Sequence, residues 1–368
     1  MRRDARLAAL MCAALATAAS AQPIDARRAP AEARAATLAA ALDSIRKALG
    51  ATGASAAVIL PDGVLWTGAS GEAFAGTPVS AATLFDIGSI TKSYTAALVL
   101  RLVEDGVLSL DDSVTRWRSD LPGAPGVTIR DLLRQTSGIA DYASHPEFLA
   151  QMRARIAGPW SPEDNLRYVG EARFPPGRRW EYSNTNYVLL GIIARHAGGT
   201  SYGALLRARL LDALGLTSTF VAGEEAIAPQ RAHAFLDFTG DGTPDDLTAL
   251  VPDPAFTRGA GAAGAIVASA ADVARFARAY YSGALVPHAL RDEFAVRADR
   301  GDGWRYGFGL IEAPHESGML LGHFGNTAGQ SAGVWHSPSA NVTVVVLSNV
   351  HAVRMDAAVR RLMEIALR

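Results

Sequence analysis

Phe85-Asp86-Ile87-Gly88-Ser89-Ile90-Thr91-Lys92 runs directly into the apolar pattern Ala96, Ala97, Leu98, Leu100, Leu102 and Val103. That spacing predicts a buried helix over 93–104 with Ser89 at its first turn, where backbone N–H groups lack intrahelical partners. A lysine three residues on projects from the same face. Burial and the positive end of the helix both disfavour an ammonium, so Lys92 is a candidate free amine able to take the proton of Ser89.

The rest of the chain sharpens this reading. Among 35 basic residues only Lys47 and Lys92 are lysines, and arginine does not give up its proton. Both follow a serine at the same spacing, because Ser44-Ile45-Arg46-Lys47 repeats the pattern. Ser44, however, falls inside an amphipathic helix expected over 31–49. There its hydroxyl bonds back to a carbonyl and no free N–H is available to an oxyanion. The second copy is read as coincidence.

Composition excludes several classes. The 368 residues are 49% hydrophobic and 19% charged with a formal net charge of −1, which rules out a disordered chain, a collagen-like repeat and a disulfide-stapled miniprotein. Nothing in that charge balance points to nucleic acid or an anionic membrane as partner. Arg2, Arg3 and Arg6 precede an apolar run from Leu7 to Ala19 and the small-x-small triplet Ala19-Ser20-Ala21, so residues 1–21 read as a cleavable export signal. The only cysteine, Cys12, lies within it. The expectation is a periplasmic or secreted mature chain with no stable membrane anchor, disulfide or cysteine nucleophile.

Strand signals cluster at the two ends: 55–60 and 64–67 around the Pro61-Asp62-Gly63 turn, then 319–322, 332–336 and 342–348. A closing helix is expected over 352–367. Helical periodicity fills the middle at 128–134, 186–196, 202–214 and 270–281. The simplest architecture is α/β of the α+β type. An antiparallel sheet built from both ends, residues 22–90 plus 262–368, is flanked by helices and carries a mostly helical insertion over 91–261.

Two further segments carry chemistry. Trp180-Glu181-Tyr182-Ser183-Asn184 follows the turn Phe174-Pro175-Pro176-Gly177, and Gly322-His323-Phe324-Gly325-Asn326 ends a strand. A tyrosine near a lysine can act as a base, and an asparagine two residues on can orient the lysine. Glycine would let a substrate lie against the strand edge beside the Asn326 N–H. In this order and spacing the three motifs resemble those of the penicillin-recognising serine hydrolases. The nearest group is that of class C β-lactamases, soluble D-alanyl-D-alanine carboxypeptidases and their esterase relatives. Leu133-Arg134-Gln135-Thr136-Ser137-Gly138-Ile139, Leu214-Gly215-Leu216-Thr217-Ser218-Thr219 and Tyr306-Gly307-Phe308-Gly309-Leu310 extend the resemblance over almost all of the chain beyond residue 21.

The resemblance implies a β-lactamase/transpeptidase-like fold. It makes Ser89 the nucleophile, Lys92 its partner, Tyr182 the general base and Asn184 the orienting amide. His323 becomes a donor beside Tyr182, and the backbone N–H groups of Ser89 and Asn326 an oxyanion hole. It calls for no metal or cofactor and implies a small ester, amide or peptide substrate. It also implies hydroxyls flanking the third motif's glycine and an arginine on the preceding strand. Here those positions hold Phe324, Asn326 and Ile311, which points away from a free terminal carboxylate and toward an apolar pocket including Phe324 and Gly325. The reading is an exported serine hydrolase. A non-hydrolytic receptor for cell-wall fragments is the alternative, disfavoured by the presence of Ser89, Lys92, Tyr182 and Asn184.

Three other features are read as structural. Gly329-Gln330-Ser331-Ala332-Gly333 spells a nucleophile elbow but precedes a strand and lacks a downstream acid–histidine pair. Asp237, Asp241 and Asp245 open a calcium-like loop over 237–246 whose twelfth position is Thr248, not glutamate. The eight histidines form no His-x-x-x-His pair, so zinc is not expected.

Overall fold

The computed structural model describes residues 28–227, 230–252, 254–351 and 355–368. The export signal read at 1–21, with Cys12, lies outside these. Nine antiparallel strands form one sheet in the order Thr77–Pro78, Leu65–Phe74, Gly53–Ile59, Val342–Ser348, Gln330–Ser337, Gly318–Thr327, Leu310–His315, Arg305–Gly307 and Ala298–Asp299. The fold is α/β, with a large antiparallel sheet flanked by helices and sequence-distant strands at its centre. Ala56 pairs with Val346 and Val58 with Val344.

The central strands are buried along their whole length because both faces are covered. On one face the helices Arg28–Leu49 and Met355–Ala366 bring Leu38, Leu42, Val359 and Leu362 onto Ala56, Val344, Val346 and Trp335. Truncating any one of the three buried leucines, Leu38, Leu42 or Leu362, to alanine should cost about 2–5 kcal/mol. On the other face Phe276 of the helix Ala270–Tyr281 shares a core with Ala57, Val345, Ala332 and the helix Thr91–Glu104. Strand alternation assigns side chains to these faces. His323, Val334 and Val345 lie in register on the Ser89 side, whereas Gly322, Trp335 and Val344 lie in register on the other.

The helices at Asn184–Gly198 and Ala270–Tyr281 follow the expected periodicity, while the segment expected over 202–214 is shorter, a helix Tyr202–Leu206 ending in a π-turn at Arg207–Leu211. Small strands missed in the sequence cross the middle. Phe85–Asp86 and Thr219–Val221 flank Ile266–Ala268. Among the described residues no helix is long and apolar enough to cross a membrane.

Candidate active site

The strand Phe85–Asp86 aims the chain at Ser89. It pairs with Ile266–Ala268, and the buried Asp86 carboxylate receives Arg231 through Nε at 2.9 Å and a second guanidinium nitrogen at 2.7 Å. The Asp86 N–H donates to Gln330 Oε1 at 2.7 Å, tying this strand to the large sheet. The chain then turns through Gly88, at φ +50°, into a 3₁₀ turn Gly88–Ile90 that opens the helix Thr91–Glu104. A Cβ on Gly88 would lie 2.8 Å from the Asn326 nitrogen. Glycine is required there by both backbone angle and contact.

Lys92 is fully buried, and Nζ has three neighbours: Ser89 Oγ at 2.9 Å, Asn184 Oδ1 at 2.8 Å and the Ala263 carbonyl at 2.8 Å. Asn184 Oδ1 and the carbonyl accept only, so they fix two N–H groups and leave the third position of Nζ facing Ser89. In the neutral amine that position is a lone pair aimed at the serine proton. Burial pulls the Lys92 pKa down from its usual 10.5 to about 7, opposed by the charge of Asp141. Tyr182 donates from its hydroxyl to Ser89 Oγ at 2.8 Å. Burial pushes the Tyr182 pKa up, only partly opposed by that hydrogen bond. It is therefore a phenol at neutral pH, resting as a donor to Ser89 and not as the base that the resemblance implies.

A polar scaffold holds this trio. Gln135 ends the helix Ile129–Arg134 in the left-handed conformation, at φ +60°. Its carbonyl accepts from Glu181 N at 3.0 Å and its Oε1 from Ser183 N at 3.1 Å, bracketing Tyr182. Thr185 Oγ1 donates to the Ala140 carbonyl at 2.7 Å and accepts from Tyr142 N at 3.0 Å. This brings Asp141 beside Asn184, whose Nδ2 donates to Asp141 Oδ2 at 3.0 Å. Burial raises the Asp141 pKa, opposed by hydrogen bonds and by Lys92. Asp141 and the Ala263 carbonyl escaped the sequence reading; Asp141 lies two residues past Leu133–Ile139, where only its proximity to that motif could have drawn attention.

The third segment differs from expectation. His323 faces the Ser89 side, but its Nδ1 lies 2.6 Å from the Phe324 carbonyl and its Nε2 3.3 Å from the Tyr306 hydroxyl. A carbonyl only accepts, so Nδ1 carries the proton and Nε2 accepts from Tyr306. Burial pulls the His323 pKa down to about 3, helped by the Lys92 charge. The expected donor beside Tyr182 is thus not formed. Phe324 points to the opposite face, 5.1 Å from Trp335 between ring centres, and does not line the site as expected. Ile311 shares that far face, opposite Gly322 in the same register row as Trp335. Gly325 faces the nucleophile's turn and not a substrate: a Cβ would meet the Ile87 carbonyl at 1.9 Å and Ser89 N at 2.9 Å. Asn326 reaches the cavity rim, with its Oδ1 accepting from Ser331 Oγ at 2.8 Å.

The decoys separate cleanly. Lys47 is exposed and paired with Asp43 at 2.7 Å. Ser331 is buried within the strand Gln330–Ser337. In the 237–246 loop Asp237 accepts from Gly240 N and Gly242 N, Asp241 from Thr243 N and Asp245 from Phe238 N, so its carboxylates cap backbone groups. Among the described residues no cluster of histidine and carboxylate side chains could hold a metal ion.

Ser89 opens into a cavity of about 700 Å³ walled by Phe148, Met152, Ile156, Leu236, Leu247 and Phe256, among others.

Known proteins resemble this chain over most of its length. A family model described as Beta-lactamase matches residues 38–367. The chain is 31% identical over 289 residues to Penicillin-binding protein 4* of Bacillus subtilis, an overlap of 74% of this chain and 62% of that protein. It therefore spans somewhat less than two thirds of that relative. It is 32% identical over 330 residues to the esterase EstB of Burkholderia gladioli, covering 76% of this chain and 80% of the esterase. The solved D-amino acid amidase of Ochrobactrum anthropi SV3, complexed with L-phenylalanine amide, superposes with a TM-score of 0.79 at 28% identity, over 90% of this chain and 98% of that one.

Proposed function

The chain belongs to the β-lactamase family of serine hydrolases, and from that premise we propose that it cleaves a small ester or amide through an acyl-enzyme on Ser89. The observation that carries this is the convergence of Lys92 Nζ and the Tyr182 hydroxyl on one oxygen, Ser89 Oγ, at 2.9 and 2.8 Å. Neutral Lys92 takes the Ser89 proton as Oγ bonds to the substrate carbonyl carbon. The resulting oxyanion is held by the N–H groups of Ser89 and Asn326. As the bond to the leaving group breaks, Tyr182 hands that group its proton and is reprotonated from the Lys92 ammonium. Water then attacks the acyl-serine by the reverse relay, releasing the acid and restoring the Ser89 hydroxyl.

Ester and amide chemistry is supported by the esterase and the D-amino acid amidase among its relatives. The export signal read at 1–21 places this activity outside the cytoplasm in the same proposal. The test is intact-mass measurement after incubation with an activated alkyl phosphonate and with a penicillin. A single covalent adduct on the wild type, absent in Ser89→Ala, is expected; an adduct that survives the substitution would sink the assignment.

A further inference from the structure

The wall of the cavity beside Ser89 has a chemical character that the catalytic residues do not explain. Apart from Ser89 and the Tyr142 hydroxyl, most of its polar side chains are already engaged inside the protein. Asn165 accepts from Trp160 Nε1 at 2.7 Å and donates to the Gly259 carbonyl at 2.7 Å. Asn184 is used at both ends by Lys92 and Asp141. The hydroxyl of Thr257 turns to Asp86 and that of Thr327 to the Gln330 carbonyl. No buried polar atom left without a partner among the described residues belongs to the cavity wall. No carboxylate lines it, and its two basic side chains, Arg153 and His351, stand exposed at the rim. What remains, beside the Tyr142 hydroxyl, is aromatic and aliphatic.

The apolar surface continues outward. Leu149 is 54% exposed and Phe238 41% exposed, yet both line the cavity, and Leu250, 62% exposed, follows Leu247 on the same short helix. Large side chains exposed next to one another around a pocket mouth mark a surface that is covered in use. The mouth draws on two separate segments, the helix Pro146–Ala154 and the stretch from Leu236 to Leu247.

We propose that the substrate is an amphiphile, with its ester or amide at Ser89 and an uncharged alkyl or aryl-alkyl group that fills this cavity and continues across Leu149 and Phe238. This deepens the acyl-serine reading and rests on it. Polar substituents along that group, away from the Tyr142 hydroxyl, find few partners in the wall and lose their hydration, so they are disfavoured, whereas each buried methylene adds binding.

Two substrate series test it on the intact protein. The p-nitrophenyl esters of acetate, butyrate, hexanoate and octanoate lengthen the acyl side, and methyl to octyl acetates lengthen the alcohol side. In one of them kcat/KM should rise about fourfold per methylene until the chain leaves the cavity, and the series that rises identifies the side that occupies it. Leu149→Asp together with Phe238→Asp should reduce the ratio of longest to shortest ester in that series by tenfold or more. Titration of p-nitrophenyl octanoate and of octyl acetate into Ser89→Ala, with p-nitrophenyl acetate and ethyl acetate as references, reads binding without turnover and should show the preference on the same side. Flat or falling rates in both series, with short esters still hydrolysed through Ser89, would overturn the amphiphile and leave the acyl-serine mechanism standing. Chain-dependent binding to Ser89→Ala, with no ester hydrolysed by the wild type, would do the opposite.

Discussion

Asp141 sits directly behind Asn184, accepting from its Nδ2 at 3.0 Å while the same amide accepts from Lys92 Nζ through Oδ1 at 2.8 Å. The pair fixes which way the amide points, and thereby which face of the Lys92 amine is left for Ser89. It also sets a negative charge near Lys92 that opposes the effect of burial on its pKa.

Acylation should therefore rise with pH along a limb centred near 7, where Lys92 loses its proton. Asp141→Asn keeps an acceptor for Asn184 but removes the charge that favours the ammonium. The limb should move to lower pH, read from single-turnover acylation at several pH values. A limb that stays in place would show that Asp141 has no electrostatic effect on Lys92.

Lys92→Arg keeps the cation and discards the ability to become neutral. Acylation should fall by about 10³-fold or more, measured as burst-phase product release. The same residue links stability to pH. Its folded pKa of about 7 lies below the usual 10.5, so between those values the unfolded chain holds a proton that the folded one lacks. Its contribution to stability should grow as pH rises through that window, visible in urea unfolding as a slope that Lys92→Met removes.

His323→Phe should leave the acid limb near pH 7 untouched, because the imidazole is already neutral there and its Nε2 serves Tyr306. Its cost should appear as about 1–2 kcal/mol of stability from the orphaned Tyr306 hydroxyl. Loss of the limb itself would return His323 to the proton relay.

Gly325→Ala should lower kcat by about 100-fold with a fall in Tm, since the new Cβ meets the Ile87 carbonyl and Ser89 N and must displace the turn that aims the nucleophile. Wild-type kcat in a folded variant would mean that the turn has slack.

Local signals made much of this legible. The strand at Val342–Ser348 matches its expected limits because an uninterrupted apolar run between turns has few other readings. Ser89, Lys92, Tyr182 and Asn184 meet as their motifs suggested. The misreadings arose where adjacency in sequence stood in for direction in space. Phe324 neighbours Gly325, but the two-residue period of a strand turns it to the Trp335 face, and Ile311 follows it there. That parity was readable from His323 and Gly325. The cavity wall was harder. Phe148, Met152 and Ile156 fall at helical spacing and resemble any buried stripe, and only the tertiary arrangement opposes them to Leu236, Leu247 and Phe256.

The pairing of Gly53–Ile59 with Val342–Ser348 also governs when this protein comes into being. Asn349 accepts from Gly53 N at 2.7 Å across 296 residues, locking the two strands together at one end. During synthesis the early strand has its hairpin neighbour Leu65–Phe74 at once, but its other edge stays open until residues 342–348 have left the ribosome. Folding must close a very long loop before the sheet beneath Ser89 is complete. Until residues 342–348 have been made, Ser89 has no finished sheet to stand beside, so any shorter nascent chain is without its site.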